Sequence, residues 1–161
     1  MPNPNKQKGN RWEREVADHL SVIFGLSFQR IPNSGAFVGG KNSFRKDILS
    51  ESQLLLSNGD IIVPDELKHI SIECKSYRDF SFSSLFTTNK TLDGWIKQSK
   101  TSDRQWFLVI KITHSGSFVV FDSSMKWVKS GPYMKYKGSI ICSMDTFFES
   151  NRDIILNKQS L

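Results

Sequence analysis

Two carboxylates and one lysine stand within short apolar runs near the middle of the chain, at Asp60–Val63 and Ile70–Lys75. In the second run, the strand period of two places Glu73 and Lys75 on one face, opposite the apolar side chains. If the two runs form a hairpin, Asp60 lies across from Glu73. The spacing therefore predicts two acidic groups and one amine on a single patch of sheet.

Such a patch suits a divalent metal ion. Convergent Asp and Glu oxygens are preferred ligands of hard cations such as Mg²⁺ or Mn²⁺, which also bind phosphate oxygens. A metal held there can polarise a phosphodiester and activate a water, while Lys75 orients that water or stabilises the transferred charge. The alternative is an exposed Glu-x-Lys pair without chemistry. Asp60 at hairpin distance, preceded by the turn-forming Asn58 and Gly59, favours the metal site.

A third carboxylate, Glu13, lies on a predicted amphipathic helix. At about 100° per residue, Ala17, Leu20 and Phe24 fall within about 40° of Glu13, in the middle of the apolar stripe. Glu15 falls on the opposite face. A carboxylate buried in the stripe needs a metal, a cation or a proton. Alternatively, Glu13 lies at the edge of the stripe and pairs with a basic neighbour.

The elements that must position these groups follow from periodicity and from turn-forming residues. The first helix should begin near Lys8 to Asn10 and end before Gly25, after a flexible arm at residues 1–7. Residues 8–161 are expected to form one domain. Residues 41–58 are ambiguous. Further strands are predicted at 27–31, 106–112, 117–122 and 139–143, and a second helix at 92–99. This order predicts an α/β fold with a central mixed β-sheet flanked by helices.

Composition limits the class of protein. The 161 residues are 38% hydrophobic and include 12 Phe and 4 Trp, enough to bury one core and to exclude wholesale disorder. The 22 Lys and Arg against 16 Asp and Glu give a net charge of +6, which favours a polyanionic partner such as nucleic acid. No apolar run approaches the ~20 residues needed to cross a bilayer, so we expect a cytoplasmic protein with no membrane partner.

The cysteines and histidines suggest no site of their own. Cys74 and Cys142 each lie in an apolar, strand-like run, which is typical of buried, reduced thiols and excludes a disulfide or zinc framework. The three histidines are scattered along the chain, and we assign none of them a metal or acid–base role.

Most of the excess positive charge lies early in the chain. Between Lys6 and Lys46 there are eight basic residues against three acidic ones, and such groups bind phosphates without reading sequence. The basic loop at 39–46 either follows a nucleic acid or is simply solvated. A second basic patch at 126–137 is interleaved with aromatic rings that could stack bases, although packing on the sheet is the simpler interpretation. The candidate nucleic-acid contacts are Lys8, Arg11, Arg14, Arg30, Lys41, Arg45 and Lys46.

The motifs carry a family resemblance. Gly-Asp-Ile at 59–61 and Ile-Glu-Cys-Lys at 72–75 resemble the Asp…Glu-x-Lys signature of the PD-(D/E)xK nuclease superfamily. Within it, Lys8–Arg14 followed by Asn33-Ser34-Gly35 is similar to the opening of the archaeal-type, Hjc-like Holliday junction resolvases. A phage-encoded member would fit. Two departures stand out: the segment before Asp60 is long, and Gly59 stands where a proline is frequent.

The resemblance implies a Mg²⁺-dependent DNA endonuclease of the restriction-endonuclease-like fold, with Mn²⁺ able to substitute. It further implies a homodimer that cuts a four-way DNA junction, since a two-fold enzyme matches a two-fold junction. The implied catalytic residues are Glu13, Asp60, Glu73 and Lys75, with Ser34 as an accessory group and Gln98 as a further accessory near the site. The implied metal ligands are Asp60, Glu73, Glu13 and the backbone carbonyl of Cys74.

Several alternatives stay open. The same chemistry could serve a restriction-type or repair nuclease acting on linear duplex DNA. From another class, the chain could be a non-catalytic, basic nucleic-acid-binding module, including an RNA-binding one, in which the acidic cluster is structural. Asp47 and Asp65 are rival carboxylates, but neither has a strand position opposite Glu73.

Overall fold

The computed structural model describes residues 1, 3–32, 59–100, 103–127, 129 and 131–157. The candidates Ser34, Lys41, Arg45 and Lys46, the rival Asp47 and the predicted basic loop lie outside the described residues. The other candidate site residues lie within them.

The first helix, α1 (Pro4–Phe24), begins earlier than predicted. Residues 4–7, expected in a flexible arm, form its first turn. Proline suits the start of a helix, and the Asn3 side chain accepts a hydrogen bond from the backbone N–H of Asn5 at 3.0 Å. The helix ends at Gly25 as predicted, where a φ of 65° allows a left-handed cap.

After α1 the chain forms a short antiparallel ribbon of β1 (Gln29–Arg30) and β2 (Ile61–Ile62). The predicted hairpin between the runs around Asp60 and Glu73 is therefore wrong. Pro64 has no N–H to donate to a ladder, and a 3₁₀ turn at Asp65–Leu67 follows it in place of a hairpin turn. The pairing of β2 with β1 joins segments about thirty residues apart, which no local turn signal could indicate.

The main sheet has five described strands. They are β3 (Ile70–Tyr77), β4 (Gln105–Ile112), β5 (Gly116–Asp122), β6 (Tyr133–Tyr136) and β7 (Ser139–Ser143). Their order is β3-β4-β5-β7-β6, with β3 and β4 parallel and the other neighbours antiparallel, so the sheet is mixed. The strands predicted at 106–112, 117–122 and 139–143 are confirmed as β4, β5 and β7, and β4 and β5 pair antiparallel.

Alternate residues of the sheet pack into two cores. Ile70, Ile72 and Cys74 lie in the core beneath α1, which confirms the predicted alternation of β3. The second core lies beneath α2 (Lys90–Ser99), the predicted second helix. Strand β3 stands at the edge of the sheet, so Glu73 and Lys75 lie where the α2 face meets that edge.

Several elements were not predicted. They are a 3₁₀ helix at Phe82–Phe86, strand β6 and two C-terminal helices, α3 (Phe147–Ser150) and α4 (Arg152–Leu156). The helices α3 and α4 span four and five residues, too few to show helical periodicity. Trp127 and Tyr136 are buried, which confirms the simpler interpretation of the second basic patch for these two rings.

The predicted α/β architecture, a central mixed sheet with helices on its faces, is thus confirmed. Cys74 and Cys142 are buried and free, as expected. Within the part of the chain that the structure describes, no helix combines the length and apolar character needed to cross a membrane.

Candidate active site

Two hydrogen bonds hold Asp60 against β3, one from its backbone and one to its carboxylate. Its N–H donates to the carbonyl of Ile72 at 2.8 Å, and its carboxylate Oδ2 accepts from the N–H of Cys74 at 2.8 Å. Asp60 therefore lies directly beside Glu73 on the edge of β3, although no hairpin places it there. Charge-assisted bonds of this kind fix the orientation of a carboxylate.

Gly59 allows the backbone before Asp60 to approach β3 closely. Its φ is 89°, and a Cβ built on it would lie 2.7 Å from the carbonyl oxygen of Ile72. Only glycine fits both the left-handed conformation and this close approach to β3. The glycine that departs from the family pattern is therefore required locally to deliver Asp60.

Glu73 lies on β3 and is 7% exposed. Its Oε1 accepts hydrogen bonds from Lys75 Nζ at 2.7 Å and from Gln98 Nε2 of α2 at 2.6 Å. The strand period brings Lys75 to the same face, and α2 carries Gln98 across that face. The structure thus brings together Asp60, Glu73, Lys75 and the accessory Gln98.

The pKa of Glu73 is raised to about 7 from the usual 4.5. Burial is the largest cause, the negative charge of Asp60 is the second, and the Lys75 ammonium opposes both. One lysine does not compensate two buried carboxylates. The pair therefore holds a surplus of negative charge that a divalent cation would neutralise.

Glu13 is buried in the α1 stripe, as the periodicity predicts. Its Oε2 accepts from Arg30 Nε at 2.6 Å, and Arg30 Nη2 also donates to Asn10 Oδ1 at 2.7 Å. The alternative of a basic partner is thus realised, although that partner comes from β1. Arg30, predicted to contact nucleic acid, is engaged with Glu13. The sequence offered no local signal for this pairing, which joins residues on two elements.

The fit of the site to a metal ion rests on Asp60, Glu73 and Cys74. Backbone N–H and C=O groups of one strand residue point to the same side, and the Cys74 N–H faces Asp60, so its carbonyl is directed toward the same edge. Burial raises the pKa of the Cys74 thiol well above its usual range, and the charges of Asp60, Glu13 and Glu73 add to this. The thiol therefore stays protonated, which leaves the oxygen atoms as donors.

The participation of Glu13 in the same ligand set stays a prediction, because its carboxylate is engaged with Arg30 here. No group of three or more His, Cys, Asp or Glu side chains is placed to hold a metal among the described residues. The oxygen donors that fit a hard divalent cation are the two carboxylates and the Cys74 carbonyl.

Three basic residues of α1 are candidates for phosphate contacts. Lys8 and Arg14 are exposed, and Arg11 forms an ion pair with Glu15 at 3.0 Å. Glu15 also pairs with Lys111 of β4, and this lysine is the main cause that holds the pKa of Glu15 below its usual range. Glu15 therefore has two cationic partners of its own, Arg11 and Lys111.

Two adjoining grooves follow α1 past the end of β3. One, of about 440 Å³, is lined by Lys8, Arg11 and Lys111 among others. The other, of about 460 Å³, is lined by Lys8, Tyr77 and Arg78 among others. Both grooves include Ser76, the residue after Lys75, so basic side chains gather around the end of β3.

Comparison with known proteins identifies the family. The model of a family described as "Phage putative PDDEXK endonuclease" matches residues 4–155. Protein D14 of Escherichia phage T5 is 33% identical over 129 residues, which is 74% of this chain and 72% of that protein. The structure of Hjc, a Holliday junction resolvase from Archaeoglobus fulgidus, matches with a TM-score of 0.39 and 12% identity, and the match covers 87% of each chain. The resemblance to the PD-(D/E)xK superfamily and its α/β nuclease fold is confirmed. The chain belongs to the phage PD-(D/E)xK endonucleases, which are metal-dependent enzymes.

Proposed function

We propose that this endonuclease hydrolyses DNA phosphodiesters with Mg²⁺ at a site formed by Asp60, Glu73 and Lys75. One observation carries the proposal: two buried carboxylates meet on the edge of β3 with a single lysine, and the pKa of Glu73 is raised as a result. This arrangement favours a cation with two positive charges and oxygen ligands.

Each group has a distinct role. The carboxylates of Asp60 and Glu73 and the carbonyl of Cys74 hold the metal, and Mn²⁺ can replace Mg²⁺. When bound, the metal polarises the phosphodiester and lowers the pKa of a water. Lys75 orients the attacking water or stabilises charge on the phosphoryl oxygens. Gln98 holds the Glu73 carboxylate in position through its 2.6 Å hydrogen bond.

Two further residues belong to the proposal through the family resemblance. Glu13, fixed by Arg30, borders the site at Cys74 and contributes negative charge there. Ser34, which lies outside the described residues, serves as an accessory group near metal-bound water or phosphate. Phosphate contacts come from exposed Lys8, Arg11 and Arg14 of α1, and from the undescribed Lys41, Arg45 and Lys46.

The preferred substrate is branched DNA, a four-way junction cut by a homodimer. Support comes from the resolvase-like order of Lys8–Arg14, Asp60 and Glu73, and from the two-fold symmetry that a dimer and a junction share. The other candidate substrate is linear duplex DNA, as for a restriction-type or repair nuclease.

The test is a cleavage assay on four-way junction, linear duplex, single-stranded DNA and RNA, each with Mg²⁺ or with EDTA. Wild-type protein is compared with Asp60→Asn and Lys75→Ala. Matched controls are Asp65→Asn and Lys68→Ala, which make the same changes at exposed residues of the nearby turn. Sedimentation of the wild-type protein with and without junction measures the oligomeric state.

Junction cleavage that needs Mg²⁺, is lost in both site variants and is retained in both controls would support the full proposal. Cleavage of linear duplex alone would indicate a restriction-type or repair nuclease. DNA binding without any cleavage would indicate a non-catalytic module and overturn the proposed site chemistry. A monomer both with and without junction DNA would contradict the proposed homodimer.

A further inference from the structure

A row of partly exposed aromatic rings continues from the candidate active site along the α2 face of the sheet. Tyr77 and Trp95 lie edge to face with ring centroids 5.2 Å apart, and Phe80 stacks on Trp95 at 6.3 Å. Phe82 contacts Phe80 at 5.1 Å. We call Tyr77, Trp95, Phe80 and Phe82 the aromatic row.

The row is in register with the site residues. Glu73, Lys75 and Tyr77 alternate along β3 and therefore share one face. On α2, Gln98 contacts Glu73 and Trp95, one turn earlier, contacts Tyr77. At about 3.3 Å per residue, the Tyr77 backbone lies about 7 Å beyond that of Lys75, a distance of roughly two stacked-base steps of 3.4 Å.

Tyr77 is 41% exposed, although one edge of its ring contacts Trp95. It also lines the 460 Å³ groove, together with the cationic Lys8 and Arg78. Cations that track a phosphate backbone beside rings that accept bases are the pattern of single-stranded nucleic-acid sites.

We propose that Tyr77, supported by Trp95, stacks on a DNA base whose face is uncovered, one or two nucleotides from the phosphate that is cut. Within a continuous duplex both faces of a base are covered by its neighbours. A ring at this position therefore favours DNA with an unpaired base or a branch point near the cleaved bond. The inference rests on the proposed DNA-cleaving function and narrows its substrate class.

The test measures binding in EDTA, so that it does not depend on cleavage. Two DNA duplexes of the same sequence are compared, one fully paired and one with a single unpaired 2-aminopurine, a base whose fluorescence is quenched by stacking. Wild-type protein should bind the second more tightly and quench it. Tyr77→Ala should weaken binding of the unpaired DNA about 10-fold, as expected for the loss of one base–aromatic stack, and leave the paired duplex unchanged.

Three variants make the result specific. Tyr77→Phe keeps the ring and should behave as wild type, whereas Tyr77→Leu keeps apolar bulk without a ring and should behave as Tyr77→Ala. Phe86→Ala is the matched control, because Phe86 is an 85% exposed ring at the end of the 3₁₀ helix and lies outside the aromatic row. It should leave both affinities unchanged.

The inference would be overturned if Tyr77→Ala and Tyr77→Leu weakened both DNAs equally, or neither. A change of sedimentation coefficient in Tyr77→Leu without DNA would also overturn it, because the row would then be an interface between protein chains. Failure of the wild-type protein to cleave any DNA would refute the proposed function. Preferential quenching of the unpaired base would still identify Tyr77 as a base-stacking residue in that case.

Discussion

Glu13 and Glu73 are both buried glutamates within reach of Cys74, yet their surroundings differ. Glu13 is held by a guanidinium at 2.6 Å that is itself fixed by Asn10. Glu73 shares one lysine with Asp60, and its pKa stays raised to about 7. Glu13 thus has one cation of its own, whereas Asp60 and Glu73 share a single lysine.

This difference indicates a structural role for the Glu13–Arg30 pair and a metal-binding role for Asp60 and Glu73. A buried carboxylate with a dedicated cation is a completed interaction that stabilises the way α1 lies on β1. A carboxylate pair with too little positive charge destabilises the metal-free fold and is poised to accept a cation. Four measurements test whether Glu13 and the Asp60–Glu73 pair differ in this way.

The largest contrast should appear in cleavage. Asp60→Asn removes one charge from the under-compensated pair, and we expect cleavage to fall by about 1,000-fold or more, because metal catalysis contributes several kcal/mol. Glu13→Gln should fall much less, since its carboxylate is engaged with Arg30. Single-turnover cleavage and calorimetric titration with Mg²⁺ measure both effects. Equal losses in the two variants would mean that Glu13 is a metal ligand after all.

Arg30→Ala should cost about 3–4 kcal/mol in the free energy of unfolding, because it leaves Glu13 buried without its guanidinium. Adding Glu13→Gln to Arg30→Ala should recover part of this loss. Urea unfolding of the single and double variants gives the coupling. If the double variant is no more stable than Arg30→Ala, the ion pair is not the source of the effect.

Glu73 should make the stability of the metal-free protein depend on pH. Because its folded pKa of about 7 lies above the usual 4.5, stability is lost as pH rises from about 4.5 through 7. Glutamine has no titrating group, so the free energy of unfolding of Glu73→Gln should rise relative to that of wild type over that window, by up to about 3 kcal/mol at pH 8. Thermal unfolding at pH 5 and pH 8 measures this, and Mg²⁺ should reduce the difference. A variant that is less stable than wild type at both pH values would contradict the assignment.

Gln98→Ala should have the smallest effect, about 1 kcal/mol, because it removes one hydrogen bond to Glu73 and leaves Lys75 in place. We expect a lower apparent affinity for Mg²⁺ with little change in the maximal cleavage rate. Titration of cleavage against Mg²⁺ separates the two. A fall in the maximal rate at saturating Mg²⁺ would instead place Gln98 at the reacting phosphate.

Local periodicity predicted much of this arrangement. The period of two on β3 placed Glu73 and Lys75 together, and the helical stripe placed Glu13 in the interior. The route of Asp60 to Glu73 was not predictable in the same way, because β2 pairs with a distant strand. The role of Arg30 depends on that same ribbon. Such contacts are fixed by the packing of distant segments, and no pattern of neighbouring residues encodes them.

The position of Asp60 has a consequence for solubility. Among the strands that the structure describes, β3 lies at the edge of the sheet, and an uncovered edge exposes backbone groups to which a second chain can add a strand. Asp60 occupies the Ile72 carbonyl with its N–H and the Cys74 N–H with its carboxylate. These two groups are therefore not available to pair with a strand of a second chain. An asparagine at this position keeps an acceptor oxygen for the Cys74 N–H, whereas an alanine would leave that N–H without its acceptor and keep only the backbone bond to Ile72.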